Sequence, residues 1–456
     1  MLDAISPVDG RYFDKSSDLR EYFSEYAFIK ARLLVELCWL QFLSQREEVP
    51  EVQLDSDQLG VLDNVYQDFT FEDAERIKAI DDKINHDVKS IEYFLNAKLD
   101  NHPTLSRVLN FIHFACTSED INNVALGIML KNIREKCMAP AIRSVLMILK
   151  TLSSTHGRVP MLSRTHGQSA SPTTLGKELS VFGYRVWRQY QQYQNVPILA
   201  KFNGAVGNYN AHTFAYPRAD WQKISSEFVE QFGLTYNPFT TQIESHDYLD
   251  EMFTIIMRVN SILIGFCRDM WGYISLNYFK QVVKFEEIGS STMPHKVNPI
   301  NFETAEGNLG IANSLFQHFG EKLLISRWQR DLSDSTVIRN VGVAFAHSII
   351  AYKLIVKGLN RLTLNETALQ NDLDNAWEVL AEPIQIIMRK HGITNPYEKI
   401  KELTRGKPVD KIAISLIINA LELPIEEKER LLALTPSTYI GNAKEQAKVF
   451  TKLSLV

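Results

Sequence analysis

Apolar residues recur every three or four positions along two long stretches of the chain. In the first stretch they are Leu249, Met252, Ile256, Val259, Leu263, Phe266, Met270 and Tyr273. In the second they are Ile338, Val341, Phe345, Ile349, Tyr352, Val356 and Leu359, with another apolar face at Val337, Ala344, Ala351 and Ile355. This spacing keeps one face of an α-helix apolar over many turns, so each stretch predicts a long helix. Because the second helix is apolar on two faces, we expect neighbours on both.

Two further long helices are predicted in the middle of the chain. One runs from Val124 to Leu152 with Pro140 inside it, and the other runs from Thr173 to Gln194. Proline fits the first turn of a helix and kinks its interior. The four helices together predict a bundle, and they carry more apolar surface than a single bundle has to cover. We therefore expect copies of the chain to associate through this bundle as a homo-oligomer.

Shorter amphipathic helices are predicted on both sides of the bundle. On the N-terminal side they include Asp18 to Leu43 and a helix that begins with the capping pattern Thr70-x-x-Asp73. On the C-terminal side they are more charged and include Trp377 to His391 and Val409 to Leu421. Alternation with a period of two is scarce, as expected for a chain without large sheets.

The predicted fold class is therefore all-α, with three helical domains. The boundaries that we expect are 1–110 for an N-terminal domain, 111–362 for the central long-helix bundle and 363–456 for a C-terminal domain. A chain of 456 residues is long enough for several domains of ordinary size.

Composition and charge narrow the kinds of partner. Hydrophobic residues make up 45% of the chain and charged residues 23%, which is typical of a folded protein and not of a disordered one. The net charge of −5, without a run of Lys or Arg, gives little attraction for nucleic acid or an anionic membrane surface. A small molecule is the partner that we expect.

Neither the N-terminus nor the cysteines indicate secretion. The chain begins without a basic segment followed by an apolar one, and its apolar runs are too short to span a bilayer. The four cysteines lie far apart without the spacing of a metal or redox site: Cys38, Cys116, Cys137 and Cys267. We interpret them as reduced core residues of a cytoplasmic protein.

The stretch from Gly289 to Pro299 is the most unusual segment in local composition. It is small and polar, contains two prolines, and lies between two helical stretches. Its hydroxyl groups, Lys296 and Asn298 could converge on an anion, although a solvated connector is the alternative interpretation. No phosphate-binding loop, dinucleotide fingerprint or metal-ligand spacing occurs in the chain, so we expect no cofactor and no metal.

Two histidines have contrasting sequence environments. His347 lies on a mostly apolar helix and is interpreted as a core residue, whereas His166 lies in a polar stretch just before a helix. The second environment suits a group that transfers a proton.

The segment Gly289 to Asn298 resembles the GSSxMPxKxN signature of the fumarase and aspartase superfamily. Within it, four further segments resemble the adenylosuccinate lyase family in its longer bacterial form. These are Asn85-His86-Asp87, Thr117-Ser118-Glu119-Asp120, Arg164-Thr165-His166-Gly167-Gln168 and Pro172-Thr173-Thr174-x-Gly176-Lys177. The resemblance extends from Ser6 to the end of the chain.

This resemblance implies an enzyme, a carbon–nitrogen lyase without a cofactor. Such an enzyme eliminates fumarate from adenylosuccinate, giving AMP, and from succinylaminoimidazole carboxamide ribotide, giving AICAR, in purine biosynthesis. It also implies a homotetramer in which several subunits build each active site. The alternatives are another fumarate-releasing lyase, such as argininosuccinate lyase, or an inactive helical scaffold.

The resemblance also implies roles for particular residues. Ser290 would be the base and His166 the general acid. Substrate-binding roles fall on Arg11, Tyr12, Asn85, His86, Asp87, Thr117, Ser118, Gln242, Ser291, Lys296, Val297, Asn298, Arg330, Ser335, Thr336, Val337, Ile338 and Arg339.

A physical route to phosphate binding is visible between Ser335 and Arg339. We expect Ser335 to cap a helix whose free N–H groups attract an anion, with Arg339 one turn along on the same face. Helix capping combined with surface ion pairs is the alternative interpretation of this segment.

Overall fold

The computed structural model describes residues 2–282, 292–293, 295–406 and 409–455. Its α-helices, in chain order, are α1 (Phe13–Ser16), α2 (Arg20–Phe23), α3 (Glu25–Ser44), α4 (Ser56–Gln67), α5 (Phe71–Ile84), α6 (Asp87–Leu99), α7 (Ser118–Ile133), α8 (Ala139–Thr155), α9 (Leu175–Asn195), α10 (Asn210–Ala215), α11 (Trp221–Glu230), α12 (Asp247–Ser275), α13 (Ile300–Leu323), α14 (Ser333–Ile338), α15 (Val341–Leu359), α16 (Glu366–Asp374), α17 (Ala381–Lys390), α18 (Pro396–Thr404), α19 (Lys411–Ala420), α20 (Ile425–Leu432) and α21 (Ala443–Thr451). Short 3₁₀ segments lie at Ser17–Leu19, Ser106–Phe111 and Trp377–Leu380. The predicted all-α fold class is confirmed.

The described strands form three two-stranded sheets. β1 (Pro160–Thr165) pairs antiparallel with β2 (Gln168–Thr174), and β5 (Phe279–Gln281) pairs antiparallel with β6 (Leu362–Leu364). β3 (Leu199–Ala200) and β4 (Thr235–Tyr236) are parallel. These small sheets join helices and do not form a layer of their own.

The two long apolar seams lie on helices, as the spacing predicts. α12 contains the whole first seam, in which Met252, Ile256 and Val259 are fully buried. The second seam is divided, because α14 ends at Ile338 and α15 begins at Val341. The prediction of one unbroken helix there is wrong, because the helix is interrupted after Ile338.

Pro140 lies at the second residue of α8, directly after a π-helical turn at Arg134–Met138 that follows α7. Proline has no N–H to give to the preceding turn, and its ring crowds the carbonyl four residues earlier. A wider π turn relieves this crowding, so the predicted kink at Pro140 takes the form of a local change of helix type.

Capping residues fix where the helices of the N-terminal region begin. Thr70 and Asp73 form the predicted capping box, in which each side chain accepts the other's backbone N–H at 3.2 Å. Asp55 and Gln58 form a second box at the start of α4. Such boxes satisfy backbone donors that a helix leaves unpaired at its first turn.

The chain divides into two compact units. Unit 1 contains residues 1–141, 189–260 and 308–351, and unit 2 contains residues 142–188, 261–307 and 352–456. This division is discontinuous in sequence, and the three domain boundaries given above stay a prediction.

Each unit has its own apolar core. In unit 1, the rings of Trp39, Phe42, Phe202 and Phe228 pack against one another with centroids 4.5 to 6.1 Å apart. In unit 2, a buried cluster joins the C-terminal helices to β1; its members include Leu162, Leu373, Leu380, Ile384, Met388 and Ile418. Burial of such side chains contributes roughly 1.5–3 kcal/mol each.

Of the described residues, only the stretch Ser333–Leu359 is long and apolar enough to cross a membrane, with a mean hydropathy of 1.3. Its most apolar window is 72% buried within the protein. That burial is typical of a core helix, which passes the same test of length and composition.

Candidate active site

A cleft in unit 1 is lined by three arginines, which are Arg32 on α3, Arg330 before α14 and Arg339 after it. Its other lining residues are Phe28, Glu119, Asn122, Asn123, Leu126, His246, Asp334, Ser335 and Ile338. Three guanidinium groups at one cleft are suited to an anion with several oxygen atoms, such as a phosphate or a carboxylate.

Arg32 is the deepest of the three arginines, with only 1% of its surface exposed. Its Nε donates to Asn122 Oδ1 at 2.8 Å and its Nη2 to Asp87 Oδ2 at 2.7 Å, while the guanidinium stacks 3.8 Å from the ring of Phe28. Its Nη1 is buried, and no hydrogen-bond partner for it lies among the described residues. The cleft therefore contains a buried guanidinium group whose Nη1 could donate a hydrogen bond to a ligand.

Asp87 is shared between two of the arginines. Its Oδ2 accepts from Arg32 Nη2 at 2.7 Å and from Arg339 Nη2 at 2.9 Å. Burial alone would raise the pKa of Asp87, but the two guanidinium groups outweigh it and hold the pKa of this carboxyl below its ordinary value. The carboxylate is thus ionised at neutral pH and keeps both arginines in place.

Arg330 is committed to two carboxylates at the opposite end of the same network. Its Nη1 lies 3.0 Å from Glu119 Oε1 and 3.3 Å from Asp334 Oδ2. Glu119 in turn accepts from Asn122 Nδ2 at 2.6 Å. Because Asn122 also binds Arg32, the three arginines belong to one connected set of ion pairs and hydrogen bonds.

Ser335 does not cap a helix, and that prediction is wrong. α14 begins at Ser333, its N-cap residue is Leu332, and no side chain caps it. Ser335 lies inside the first turn, where its Oγ accepts from Arg339 Nη1 at 2.6 Å. The expectation that both side chains share a face is confirmed, but a helix of six residues offers no helix-terminus site for an anion.

The rest of this segment contributes unequally. Ile338 lines the cleft, Val337 is half-buried, and Thr336 is exposed. In this segment, Arg339 therefore supplies a charged side chain that is accessible to a ligand, since it is 36% exposed.

Arg11 and Tyr12 lie in the turn before α1 and at its N-cap. Arg11 is exposed and Tyr12 partly so. Flanking residues of this turn, Val8 and Ser16, line a second cleft to which Arg339 also contributes. The N-terminal segment thus lies beside Arg339 within unit 1.

Asn85 and His86 form the connection between α5 and α6. Asn85 has a left-handed backbone (φ 53°) and ends α5, while His86 Nδ1 accepts from the backbone N–H of Lys89 at 3.1 Å and so caps α6. Both side chains are exposed. Their capping places Asp87, the next residue, at the start of α6 beside the arginines.

Thr117 and Ser118 begin α7 above a buried ion pair. Thr117 N donates to Asp120 Oδ2 at 2.8 Å, and Asp120 Oδ1 lies 2.9 Å from Lys201 Nζ, with both charged side chains 0% exposed. A buried ion pair of this kind is costly to break, because removal of one partner leaves the other charge uncompensated. This ion pair therefore fixes the start of α7, where Thr117 and Ser118 lie.

Gln242 lies in a loop before α12 and is partly buried. Its Nε2 donates to the carbonyl of Ala205 at 2.9 Å, and its backbone N–H donates to Gln329 O at 3.3 Å. The second bond ties this loop to the segment that precedes Arg330.

His166 lies in unit 2 at the tip of the β1–β2 hairpin. The sequence interpretation of a polar stretch just before a helix is wrong, since β2 separates His166 from α9. His166 and Gly167 are the two loop residues, with φ of 54° and 76°. Positive φ at both positions is the requirement of a tight type I′ turn, which Gly meets without strain. The turn leaves the imidazole exposed.

The signature loop is described in part. Ser290 and Ser291 lie outside the described residues. Lys296 and Val297 are exposed, and Asn298 is half-buried. Lys296 N donates to Met293 O at 3.0 Å, and Val297 O accepts from Gln281 Nε2 at 2.8 Å.

The structure thus brings together Asp87, Arg330, Ser335, Ile338 and Arg339 at one cleft of unit 1. Sequence reasoning missed eight other lining residues there, among them Arg32, Glu119, Asn122 and His246. The signal for Arg32 was available, because an arginine on the apolar face of a helix is rarely buried without a charged partner. Among the described residues, no cluster of three His, Cys, Asp or Glu side chains could hold a metal ion.

Two family models match the chain. One is described as lyase and matches residues 10–312. The other is described as adenylosuccinate lyase C-terminal and matches residues 326–440. The adenylosuccinate lyase of Escherichia coli (strain K12) is 54% identical over 443 residues, with 97% of each chain covered. That of Vibrio cholerae is 55% identical over 446 residues, covering 97% of this chain and 98% of the relative.

A solved structure described as a fumarate lyase from Mesorhizobium sp. BNC1 has the same fold. It superposes with a TM-score of 0.76 at 16% identity and covers 95% of this chain and 97% of its own.

Proposed function

Since the chain belongs to the adenylosuccinate lyase family and is a lyase, we propose that it releases fumarate, without a cofactor, from adenylosuccinate to give AMP and from succinylaminoimidazole carboxamide ribotide to give AICAR. The observation that carries the proposal is the similarity over 97% of the chain to adenylosuccinate lyases. The cleft with three arginines supports it, because a nucleotide with a succinyl group carries a phosphate and two carboxylates.

The elimination needs a base, an acid and a group that stabilises negative charge. The base takes the proton from the carbon next to a carboxylate, the electron pair of that C–H bond becomes the new C=C bond, and the C–N bond breaks with its pair on nitrogen. The acid then gives that nitrogen a proton. Fumarate and the free amine leave, so atoms and electrons balance without an added reactant.

We assign the acid to His166 and the base to Ser290. An exposed imidazole on a tight turn can reach a leaving nitrogen, and histidine is the side chain that most often transfers a proton in catalysis. A serine hydroxyl is a weak base, so Ser290 would need a dry site and nearby positive charge when it reacts.

Lys296 is the proposed source of that positive charge, with Ser291 and Asn298 as further donors to the carboxylate that gains charge in the transition state. Fixed donors of this kind are each worth about 10²- to 10³-fold in rate. Lys296 is exposed, which fits a group that becomes enclosed only when substrate is bound.

The arginine cleft of unit 1 is the proposed phosphate site. Arg339 is the partly exposed arginine that would contact the phosphate first. The other residues proposed to bind the phosphate are Arg11, Tyr12, Arg330 and Ser335. Arg339 Nη2 donates to Asp87 Oδ2 at 2.9 Å. A phosphate would exchange with this carboxylate, after which Asp87 still neutralises the buried Arg32.

We propose that Asn85, His86, Thr117, Ser118 and Gln242 bind the remaining polar groups of the substrate. Thr117 and Ser118 are suited to a carboxylate, because the first turn of α7 also supplies backbone donors to an anion. Thr336, Val337, Ile338 and Val297 would contact the substrate through backbone groups or apolar atoms.

A homotetramer with shared active sites is the proposed assembly, in the cytoplasm and in purine biosynthesis. Large apolar side chains that the long helices leave exposed support association; they are Met147, Val181, Tyr184, Trp271 and Ile311. Light scattering after gel filtration would give the mass of the assembly directly.

Two substrates in parallel would test the proposed reaction. The purified protein is mixed with adenylosuccinate and, separately, with argininosuccinate, and fumarate is measured in both. We expect turnover of adenylosuccinate alone. Turnover of argininosuccinate alone would contradict the proposal, and no turnover of any succinyl adduct would indicate an inactive scaffold.

Mixing inactive variants would test whether sites are shared. Subunits carrying His166→Ala and subunits carrying Ser290→Ala are dissociated, mixed and reassembled, and we expect part of the activity to return. Verified mixed oligomers without any activity would contradict shared sites.

A further inference from the structure

We propose that Arg164, Asp372 and Tyr278 form a clamp that sets the position of the His166 hairpin, and that they are positioning residues for proton transfer. The inference rests on the proposed function, in which His166 is the general acid. It extends the active machinery to the C-terminal helices, on which no predicted site residue lies.

The clamp begins on β1, two residues before His166. Arg164 Nη2 donates to Asp372 Oδ2 at 2.6 Å, and Arg164 Nη1 donates to Tyr278 OH at 2.7 Å. Tyr278 OH also donates to Asp372 Oδ2, which closes a three-membered set of contacts. One side chain of β1 is thereby held at two nitrogens by two different elements of unit 2.

A planar guanidinium held at two nitrogens fixes both the position and the rotation of its side chain. The three groups are partly buried, with Arg164 27% and Asp372 28% exposed. Burial, reinforced by the bond to Asp372, raises the pKa of Tyr278 to about 12, so its hydroxyl keeps the proton that it donates. The Tyr278 hydroxyl therefore remains a donor throughout the pH range in which an imidazole ordinarily titrates.

Two further contacts tie the hairpin to the same C-terminal helices. Leu162 on β1 is 2% exposed within the core cluster that contains Leu373 and Leu380. On β2, Ser171 Oγ donates to Glu382 on α17. Both strands are thus anchored beneath a tip that is itself exposed.

The hairpin transmits this position to His166 because its loop is only two residues long. Arg164 pairs with Ser169 and Thr165 with Gln168, directly below the tip. A type I′ loop has little freedom to adjust when the strands move. Displacement of a reacting group by about 1 Å can cost on the order of 10²-fold in rate.

Asp372→Asn is the central test, because it keeps the shape of the side chain and removes its charge. We expect kcat to fall about 10- to 100-fold with KM within about threefold. Arg164→Ala should behave in the same way, and Arg164→Lys should recover only part of the loss, since an ammonium group cannot form the two-nitrogen contact. Tyr278→Phe keeps the Arg164–Asp372 pair and should lose less.

Glu427→Gln is the matched control. Glu427 on α20 also binds cations of the C-terminal helices, with Lys390 Nζ and Arg430 Nη1 each 2.6 Å from its oxygens. This variant loses a carboxylate of the same region. We expect lower thermal stability with kcat unchanged.

A double-variant cycle separates positioning from general stability. If Asp372 acts through His166, then Asp372→Asn should cost little further activity when it is added to His166→Gln. Equal losses in both backgrounds, or a kcat of Asp372→Asn and Arg164→Lys within twofold of the parent, would overturn the proposal. The more conservative Arg164→Lys and Tyr278→Phe serve where Asp372→Asn does not fold.

Failure of the proposed acid role gives a different result. In that case His166→Gln itself keeps near-native kcat, and the positioning role falls with it. If His166→Gln is inactive while the clamp variants are normal, only the clamp is refuted.

Discussion

The two sets of candidate site residues are built in opposite ways. In unit 1, the arginines and their carboxylates are bound to one another, and Arg32 is almost fully buried. In unit 2, His166, Lys296 and Val297 are exposed on turns and loops. The first set is prearranged by side-chain contacts, whereas the second depends on its backbone for position.

The two arrangements differ in the free-energy cost of binding a ligand or of carrying out catalysis. Prearranged charges lose little conformational freedom when an anion binds, but the anion must exchange with existing partners such as Asp87. Exposed side chains such as His166 and Lys296 gain electrostatic strength only when water is excluded. Variants in unit 1 should therefore change KM, and variants in unit 2 should change kcat.

The largest effect is expected at His166. His166→Gln keeps a polar side chain but cannot transfer a proton, so kcat should fall about 10²- to 10⁴-fold. KM for adenylosuccinate should stay within a few-fold, as measured by initial rates. His347→Gln is the control, and a similar loss there would break the distinction between the two histidines.

Lys296 should have the next largest effect. Lys296→Met keeps the length of the side chain and removes the charge, and we expect about a 10²- to 10³-fold loss in kcat. Lys428→Met is a matched control, because Lys428 is a partly exposed lysine whose Nζ donates to the carbonyl of Asn419 at 2.8 Å. A rise in KM at constant kcat would instead place Lys296 with the binding residues.

Arg339 tests the binding set. Arg339→Gln removes a charged donor worth about 1.5–3 kcal/mol, so we expect KM for adenylosuccinate and the inhibition constant of AMP to rise roughly 10- to 100-fold. Arg327→Gln, at an exposed arginine paired with Asp331, should leave both unchanged. A loss confined to kcat would contradict the phosphate role.

Ser335→Ala should show a smaller change of the same kind. It removes the hydroxyl that accepts from Arg339 and costs about 0.5–1.5 kcal/mol, or roughly 2- to 13-fold in KM. The Arg339→Gln/Ser335→Ala double variant should not add the two losses, because Ser335 acts through Arg339. Full additivity would indicate a direct contact of Ser335 with the substrate.

The smallest effect is a pH dependence of stability. The pKa of Asp87 is depressed by Arg32 and Arg339, so its contribution to stability is present above the unfolded value of about 3.9 and is lost as pH falls through the folded value. Urea unfolding of the parent should therefore weaken below about pH 4 more steeply than that of Asp87→Asn. Equal slopes would show that the pairing contributes nothing in solution.

The repeated spacing of apolar residues and the capping patterns made much of the fold predictable. The three-and-four spacing identified α12 and most of α15, and the Thr70–Asp73 pattern identified the start of α5. These signals are local and repeat over many residues. The break after Ile338 was not predictable in this way, because apolar spacing continues across it.

The candidate site was harder to predict where contacts are distant in sequence. Arg32 and Asp87 lie 55 residues apart, and Arg339 and Asp87 lie 252 apart, so nothing local marks the pairs. The hairpin was missed because His-Gly is a weaker turn signal than Asn-Gly, and because β2 is polar at its start.

The left-handed backbone of His166 also limits which residues could replace it over evolutionary time. Among residues other than glycine, Asn, Asp and His adopt positive φ most readily. Glu, Lys and Tyr, the other common proton donors, would add backbone strain at the turn. A descendant of this chain that changes its proton donor at this position therefore has one inexpensive substitute with a titratable group, Asp.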